Sequence, residues 1–465
     1  MPDKVDFDQI TRKALQNEFL QLALSRATGT FKNNRTRAAA DLGYFEELRE
    51  RAKEAKDRAL LNLDVYLPRL EENVRARGGQ VAYARDGREV IEYILNLARE
   101  KGLKTVVKGK SMTTEEIYLN PALEAAGLEV METDLGEYII QLVGERPSHI
   151  IGPAIHKTKE EIGRLFEEKI GLPYTDQPEV MTQAVRVKLR QKFLDADLGI
   201  TGANFAVAET GTIVLLENEG NIRMSTTLPK VHVVVMGLEK VVADMEDLSS
   251  LLRILPLSAV GQRLPSYVSF LTGPGRREGE GPEELHLIIL DGFRSKVLAD
   301  PDFRQILRCL RCGACLNFCP VYARLGGHSY PWVYSGPIGV VLTGAAMGAE
   351  AAANVVASST LCQACGQVCP VKIELPSLIL KLRQRLARGD RKLELLLSVA
   401  GKVLAAPLGF DLAGRAAGKA SRVVLDPDGA VRRGPEVLKN TGQGRCLPRL
   451  AEEPFHRSMF KGNEK

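Results

Sequence analysis

The chain has 465 residues, of which 45% are hydrophobic and 26% are charged, a balance typical of a globular protein rather than a disordered one. Its formal net charge is only +5 and no known nucleic-acid motif accompanies it, which argues against a nucleic-acid partner. No apolar stretch reaches the roughly 18 residues that span a bilayer, and the polar N-terminus lacks the apolar core of a secretory signal. We therefore expect a cytoplasmic protein of about two to four domains without a transmembrane segment.

The N-terminal region, residues 1–60, is rich in charged residues that favour helices. Acidic and basic side chains recur four positions apart between residues 44 and 56, a spacing that supports a helix in water. The pattern predicts helices that expose a charged face to solvent.

Residues 61–295 alternate between helical periodicity and short β-branched runs. Residues 89–99 have the periodicity of an amphipathic helix. The runs that predict strands are 104–108, 148–152, 211–216, 230–236 and 285–290. This alternation predicts an α/β domain built on a largely parallel sheet.

Polar, glycine-rich loops in this domain suggest an anionic ligand. Lys108, Lys110 and Arg223 supply charge, and backbone N–H groups near Ser111 favour a carboxylate or phosphate. The alternative is that Ser111 only caps a helix with an acidic first turn. The loop is not a phosphate-binding Walker A motif and no dinucleotide fingerprint is present. Three dispersed histidines are interpreted as structural: His149, His156 and His232.

Two cysteine runs carry the strongest functional signal, since they contain all but one of the eight cysteines. The first run, Cys309 to Cys319, has the C-x2-C-x2-C-x3-C-P spacing of bacterial ferredoxins. The second, Cys362 to Cys369, also ends in C-x3-C-P. The spacing predicts two [4Fe–4S] clusters in a helical ferredoxin domain, residues 296–385, followed by a basic C-terminal region, residues 386–465. Zinc is the alternative, which two C-x3-C-P endings disfavour.

In two-cluster ferredoxins the cysteine before proline binds the other cluster. The predicted ligands of cluster 1 are therefore Cys309, Cys312, Cys315 and Cys369. The predicted ligands of cluster 2 are Cys319, Cys362 and Cys365. Cluster 2 lacks a fourth cysteine because Ser359 occupies that position. Ser359, Cys446, another side chain and water at an open iron are the candidates.

Residues that flank the runs raise two further expectations. Arg308, Arg311 and Lys372 place positive charge near the clusters, which favours the reduced state. The segment between the runs contains His328 and the single tryptophan, Trp332. We interpret it as a turn-rich loop anchored by aromatic residues, the alternatives being a cover over a cluster or a docking surface.

The cysteine runs and segments 199–211, 218–223, 226–232 and 326–331 together resemble the lactate-utilisation protein B family. The resemblance implies a lactate-utilisation domain of the sugar-isomerase/CoA-transferase type followed by an α-helical ferredoxin module. It also implies an iron–sulfur subunit of a complex that oxidises L-lactate to pyruvate, with other subunits and an electron acceptor as partners. In that family the second run also has three cysteines, which weakens the case for Cys446. Fold analogy alone makes Glu209 a candidate nucleophile.

The leading functional hypothesis is therefore an electron-transfer subunit that carries two [4Fe–4S] clusters. One alternative is a self-contained oxidoreductase or transferase that uses the α/β domain and an incompletely ligated cluster. The other is a redox-sensing iron–sulfur scaffold.

Overall fold

The computed structural model describes residues 6–275, 279, 281–387, 391–423, 430–431 and 447–448. Described residues up to Arg383 form one compact unit, and those from Gln384 onward form another. The predicted boundaries after residues 60, 295 and 385 remain predictions. The helices are α1 (Phe7–Gln16), α2 (Glu18–Ala40), α3 (Phe45–Leu61), α4 (Leu63–Ala76), α5 (Gly87–Lys101), α6 (Met112–Glu116), α7 (Leu119–Ala125), α8 (Leu135–Val143), α9 (Lys159–Ile170), α10 (Pro178–Leu194), α11 (Asn221–Thr227), α12 (Met245–Val260), α13 (Arg294–Ala299), α14 (Ala314–Asn317), α15 (Tyr322–Leu325), α16 (Gly336–Met347), α17 (Ala353–Ser358), α18 (Ala364–Val368), α19 (Leu375–Ala387), α20 (Arg391–Ala405) and α21 (Pro407–Val423).

The strands are β1 (Gln80–Ala84), β2 (Thr105–Lys108), β3 (Glu129–Glu132), β4 (Leu198–Thr201), β5 (Phe205–Val207), β6 (Thr212–Glu217), β7 (Val231–Gly237), β8 (Val241–Val242), β9 (Tyr267–Leu271), β10 (Glu284–Leu290), β11 (Ala430–Val431) and β12 (Leu447–Pro448). Four short 3-10 helices cover Leu238–Lys240, Arg304–Arg308, Gly327–Ser329 and Ala349–Ala352. Strands β11 and β12 pair antiparallel.

A six-stranded parallel sheet forms the centre of the α/β region, in the order β1-β10-β7-β4-β2-β3. Every residue of β7 is buried, as expected for a strand with both faces covered. The predicted helix at 89–99 lies within α5, which Asp86 caps and Gly102 ends in the left-handed conformation. The α/β architecture predicted from the alternating pattern is confirmed.

A second sheet of four strands has the order β8-β5-β6-β9 and was not predicted as a separate layer. The predicted strand at 211–216 belongs to it, as β6, and pairs antiparallel with β5 and β9. Periodicity marks a buried strand but carries no information on which sheet the strand joins, so this layer required the tertiary fold.

The strand predicted at 148–152 is wrong. These residues form a bend in which the Ser148 N–H donates to the Pro153 carbonyl at 2.9 Å. The Ser148 carbonyl in turn accepts from the Tyr322 hydroxyl at 2.8 Å and the Ser335 hydroxyl at 3.2 Å. Because side chains of the cysteine-rich region satisfy this backbone, its β-branched residues need no neighbouring strand.

The N-terminal helices predicted for residues 1–60 are present as α1, α2 and α3, but the expected exposed charged face is interrupted. Arg35 on α2 and Lys56 on α3 are buried at 8% and 1% exposure. The Lys56 ammonium donates to the Glu239 carbonyl, which pairs the buried group.

Each helix in the described part of the chain is too short or too polar to span a bilayer alone. The segments Glu394–Ala405 and Pro407–Lys419 are long and apolar enough only when taken together, and the chain bends by 110° between them.

Candidate functional site

The seven cysteines of the described chain fall into two neighbouring groups. Cys312 lies close enough to Cys309 and Cys369 for their charges to interact. Cys315 interacts with these three sulfurs and also with Cys365 of the adjoining group. Cys319, Cys362 and Cys365 form the second set of electrostatic neighbours. Cys446 lies outside the described residues. The folded chain therefore brings together a group of four sulfurs and a group of three.

Backbone N–H groups point at the sulfurs of both groups. The Ile373 N–H lies 3.2 Å from the Cys369 sulfur, the Arg311 N–H lies 3.4 Å from the Cys309 sulfur, and the Tyr322 N–H lies 3.5 Å from the Cys319 sulfur. The backbone between Cys312 and Cys315 turns at Gly313, whose φ of 74° lies in the left-handed region that favours glycine. Such donors stabilise thiolates and are one of the factors that set the potential of an iron–sulfur cluster.

The raised pKa values of these buried thiols are consistent with thiolates that bind metal ions. Burial raises the pKa of Cys312 and Cys365 to about 12 and that of Cys369 to about 11. Thiolates this desolvated are stable only next to compensating positive charge, which metal ions supply. The donor set, all sulfur and arranged in two groups, suits [4Fe–4S] clusters, so these residues fit the group that their spacing predicts.

The three cations predicted to charge the cluster surroundings are neutralised by carboxylates. Arg308 pairs with Asp57 at 2.5 Å, and Lys372 pairs with Glu46 at 2.7 Å and also with Glu50. Arg311 lies 3.5 Å from Glu239 and 3.9 Å from Glu116. Each partner comes from a distant part of the chain, so the pairing was not visible in the sequence.

Two arginines that the sequence analysis missed approach the group of four instead. Arg35 is an electrostatic neighbour of Cys312 and Cys369, and its Nη2 donates to the Val368 carbonyl at 2.9 Å. Arg49 donates to the Cys369 carbonyl at 3.1 and 2.8 Å. They belong to α2 and α3, more than two hundred residues before the first cysteine, so nothing local in the sequence indicated their role.

The segment between the cysteine runs is buried and anchored by aromatic residues. Trp332 packs edge-on against Phe293 and Tyr334, with ring centroids 5.8 and 5.2 Å apart. A Cβ at Gly327 would lie 1.9 Å from the Ser148 carbonyl oxygen, so glycine is required for this close approach. These contacts agree with the interpretation of this segment as an anchored loop.

A cavity of about 310 Å³ lies beside the first cysteine run. Its polar lining follows the carboxyl ends of parallel strands: Lys110 and Ser111 after β2, Asp134 after β3 and Asn204 after β4. This is where open α/β sheets place their ligands. The lining continues with Lys240 after β7 and with three positions from other segments, Leu310, Arg311 and Glu219. The cavity therefore connects the sheet with the loop that carries Cys309 and Cys312.

Two cationic groups of this cavity have a free donor within the described chain. The Lys110 ammonium is buried without a hydrogen-bond partner and lies 4.0 Å from the Glu137 carboxylate. The Arg311 Nη1 is also buried without a partner. Asp134 and Glu219 also line the cavity, and burial followed by the Asp134 carboxylate raises the pKa of Glu219 to about 7. A buried donor without a partner is costly, which favours an acceptor from a ligand.

Lys108 and Arg223, also predicted to bind the anion, do not line this cavity. Lys108 is fully buried and paired with Glu132 at 2.8 Å and with Glu115 at 3.3 Å. Arg223 is exposed and lies over the Tyr267 ring. Of the three predicted cations only Lys110 is in place, because strand β2 points Lys108 into the core.

Two polar residues singled out in the sequence have the following positions. Ser111 occupies the N-cap position of α6, whose first turn contains Glu115, as the capping alternative predicts, but its side chain makes no hydrogen bond to that helix and it also lines the cavity. Glu209 is exposed in the turn between β5 and β6 and is not among the cavity residues. This cavity therefore gives no support to the nucleophile analogy for Glu209.

The histidines interpreted as structural are buried and hydrogen-bonded. His149 contacts Asn317 at 3.2 Å and packs beneath Gly313, while burial lowers its pKa to about 3. His232 contacts the Thr201 hydroxyl at 2.8 Å. His156 contacts Glu145 at 2.7 Å beside His328, and Lys157 neutralises the same carboxylate at 2.6 Å.

Comparisons with known proteins identify the family. Residues 67–290 match the LUD domain, and residues 305–373 match the 4Fe-4S dicluster domain. Lactate utilization protein B from Bacillus licheniformis is 43% identical over 99% of this chain and 97% of its own length. The protein of the same name from Bacillus thuringiensis is also 43% identical, with the same coverage. The chain belongs to the lactate utilization protein B family.

The chain therefore combines an α/β LUD domain with a 4Fe-4S dicluster domain that contains both cysteine runs. A DUF162 family protein from Deinococcus radiodurans, 15% identical, covers 49% of this chain and 98% of its own with a TM-score of 0.29. That similarity is too low to support a structural argument.

Proposed function

We propose that this chain is the iron–sulfur electron-transfer subunit of a multi-protein complex that oxidises L-lactate to pyruvate. Its relatives are named for lactate utilization, and its second matched domain is named for two 4Fe-4S clusters. The observation that carries the proposal is the division of the cysteines into adjoining groups of four and three.

In this proposal cluster 1 is bound by Cys309, Cys312, Cys315 and Cys369, and cluster 2 by Cys319, Cys362 and Cys365. When bound, the clusters supply one-electron redox chemistry, while the chain supplies ligation, spacing and electrostatics. Burial of Cys312, Cys315 and Cys369, at 7%, 9% and 6% exposure, excludes water from the first group. Exposed Cys362 brings the second group to the surface, where a partner can approach.

Membership of a complex is supported by exposed apolar side chains on α20 and α21. Leu396 and Leu397 are each 58% exposed, and Leu408 is 77% exposed. Large apolar side chains left exposed on one region of a protein are often covered by a partner. We propose that these helices contact another subunit.

An iron analysis tests the cluster assignment. Anaerobically prepared full-length chain should carry about eight iron atoms, as two four-iron clusters require. Stoichiometric zinc would contradict the proposal. The electron-transfer role is tested by adding L-lactate to the assembled complex while recording the cluster spectra. Reduction of the clusters is expected, and spectra that stay oxidised during turnover would contradict the role.

A second candidate function is that this chain itself binds a small carboxylate. The free donors of Lys110 and Arg311 in the cavity favour it, because both are buried and lack an acceptor. Arg311 and Lys240 are also electrostatic neighbours of Cys309, so such a ligand would lie beside the first cysteine group.

Lactate binding to the isolated, reconstituted chain tests this second candidate. Calorimetry should detect binding to the unsubstituted chain and a loss of at least about 10-fold in affinity for Lys110→Gln, since about 1.4 kcal/mol corresponds to tenfold. Arg223→Gln is the matched control, because it removes an exposed cation outside the cavity. Equal affinities for all three proteins would rule the cavity out as the lactate site.

A further inference from the structure

The two cysteine runs share the same spacing, and at the four cysteine positions they differ only once. When Cys312 is aligned with Cys362, the following cysteines, Cys315 and Cys365, also coincide. The same alignment places Ser359 opposite Cys309. The position of the missing thiolate is therefore occupied by a residue whose side chain ends in an oxygen.

The backbone of the second run repeats that of the first around this position. Arg311 and Leu361 occupy matching positions and have φ values of 60° and 54°. Gly313 and Gln363 also match, with φ values of 74° and 71°. Positive φ is uncommon and energetically unfavourable for leucine and glutamine. The second run thus adopts the cluster-binding conformation of the first even where its residues disfavour that conformation.

The hydrogen bonding at the two positions is also equivalent. In the first run the Arg311 N–H donates to the Cys309 sulfur at 3.4 Å. In the second run the Leu361 N–H donates to the Ser359 Oγ at 3.3 Å. Both side chains accept from the residue two positions ahead, so the Ser359 oxygen occupies the place of a ligand sulfur.

Ser359 also shares a small cavity with the incomplete group of sulfurs. The lining of this cavity includes Cys319, Cys362, Cys365 and Ser359. The backbone of Ser359 is held in place because Arg383 donates to its carbonyl at 2.5 Å. Three sulfurs and one oxygen therefore border the same space.

We propose that the Ser359 Oγ is the fourth protein ligand of cluster 2 and binds iron as an alkoxide. The inference rests on the proposed assignment of Cys319, Cys362 and Cys365 to that cluster. On binding, the O–H bond breaks, its proton leaves to solvent, and the oxygen donates its electron pair to iron, with no change of oxidation state. One iron then carries a harder ligand than its three thiolate-bound neighbours.

The test uses the full-length chain reconstituted anaerobically with ⁵⁷Fe, read by iron analysis, Mössbauer spectroscopy and EPR. Ser359→Ala should lose one iron per chain and give the EPR signal of a three-iron cluster, while cluster 1 is unchanged. Ser359→Cys should retain all of its iron and convert the distinct iron site to one with four thiolates. Ser358→Ala is the matched control, since its Oγ donates to the Asn354 carbonyl at 2.9 Å instead.

Spectra and iron content of Ser359→Ala identical to those of the unsubstituted chain would overturn the assignment. Loss of the same iron in Cys446→Ser, with none in Ser359→Ala, would assign that ligand to Cys446 instead. If Ser359→Ala fails to fold, Ser359→Cys decides, since an unchanged Mössbauer spectrum would exclude Ser359 as ligand. Failure of the proposed function is separate, because the unsubstituted chain would then lack the eight iron atoms that two clusters require.

Discussion

The two cysteine groups differ in how the rest of the molecule surrounds them. The group of four is covered by the N-terminal helices, where Arg35 and Arg49 contact the backbone at Val368 and Cys369. The group of three ends at the surface with exposed Cys362. The first site is thus covered by helices from the N-terminal part of the chain, whereas the small cavity at the second is lined by residues between 319 and 376.

The first group is therefore shielded from water, whereas the second is accessible to a partner protein. Buried thiolates need compensating charge and exclude water, so the first site couples metal binding to the folding of the surrounding domain. An exposed site contributes less to stability but allows contact with a partner. We expect the first group to control stability and the second to control electron exchange.

Removing one cysteine from each group gives the largest expected effect. Cys315→Ala should lower the free energy of unfolding by on the order of 4 kcal/mol, the linkage expected for a ligand present at about 1,000 times its Kd. Cys362→Ala should cost less, because Cys362 is exposed whereas Cys315 is buried. Anaerobic denaturant unfolding with parallel iron analysis measures both. A larger loss for Cys362→Ala would reverse the comparison.

The next effect concerns the ion-pair network that joins the first cysteine run to the α/β region. Glu239 is buried between Arg294 and Arg311, and Arg294 also contacts Glu116 at 2.9 Å. Glu239→Gln leaves buried positive charge without its partner and should cost about 3 kcal/mol, the lower end of the range for a broken buried ion pair. Glu209→Gln, at an exposed turn, is the control and should change stability little. Equal stabilities in thermal unfolding would contradict a role for the network.

Because Glu239 titrates, the stability that it contributes should depend on pH. Burial raises the pKa of Glu239, but Arg294 and then Arg311 outweigh burial and hold it at about 2, below its usual 4.5. A depressed folded pKa means that this group stabilises the fold fully above pH 4.5, and that the contribution is lost as pH falls from 4.5 towards 2. The stability difference between the unsubstituted chain and Glu239→Gln should shrink over that range. A difference that stays constant with pH would refute the assignment.

The smallest effect tests the charge that reaches the first group from α2. Arg35→Gln removes a buried cation beside Cys312 and Cys369 and should lower the potential of cluster 1 by tens of millivolts, where about 59 mV is tenfold for one electron. Arg37→Gln, an exposed cation on the same helix, should leave both potentials unchanged. EPR-monitored redox titration distinguishes the clusters. A change in the reduction potential of cluster 2 alone would contradict the position assigned to Arg35.

Local patterns predicted much of the fold. The periodicity at 89–99 and the β-branched run at 230–236 identified α5 and β7, since each pattern reflects a face that must be buried. The run at 148–152 failed because its backbone is satisfied by Tyr322 and Ser335, which no local pattern reveals.

Prediction of the site had the same limit. Cysteine spacing identified the seven sulfurs that the fold brings together, and Lys110, one of the three cations predicted to face an anion, lines the cavity. Lys108, two residues earlier, does not, because it pairs with Glu132 and Glu115 in the core. Alternation along a strand gives opposite faces to neighbouring residues but not the partners that meet them.

The sequence by itself determined the family, the α/β and ferredoxin architecture, and the number and spacing of the thiolates, because these depend on covalent order and local periodicity. Tertiary structure decided what surrounds each sulfur. Arg35, on α2, lies beside the sulfurs of the group of four. The cavity beside Arg311 is lined by residues that follow successive strands. Burial and charge compensation arise from contacts between distant residues, so only the folded chain determines them.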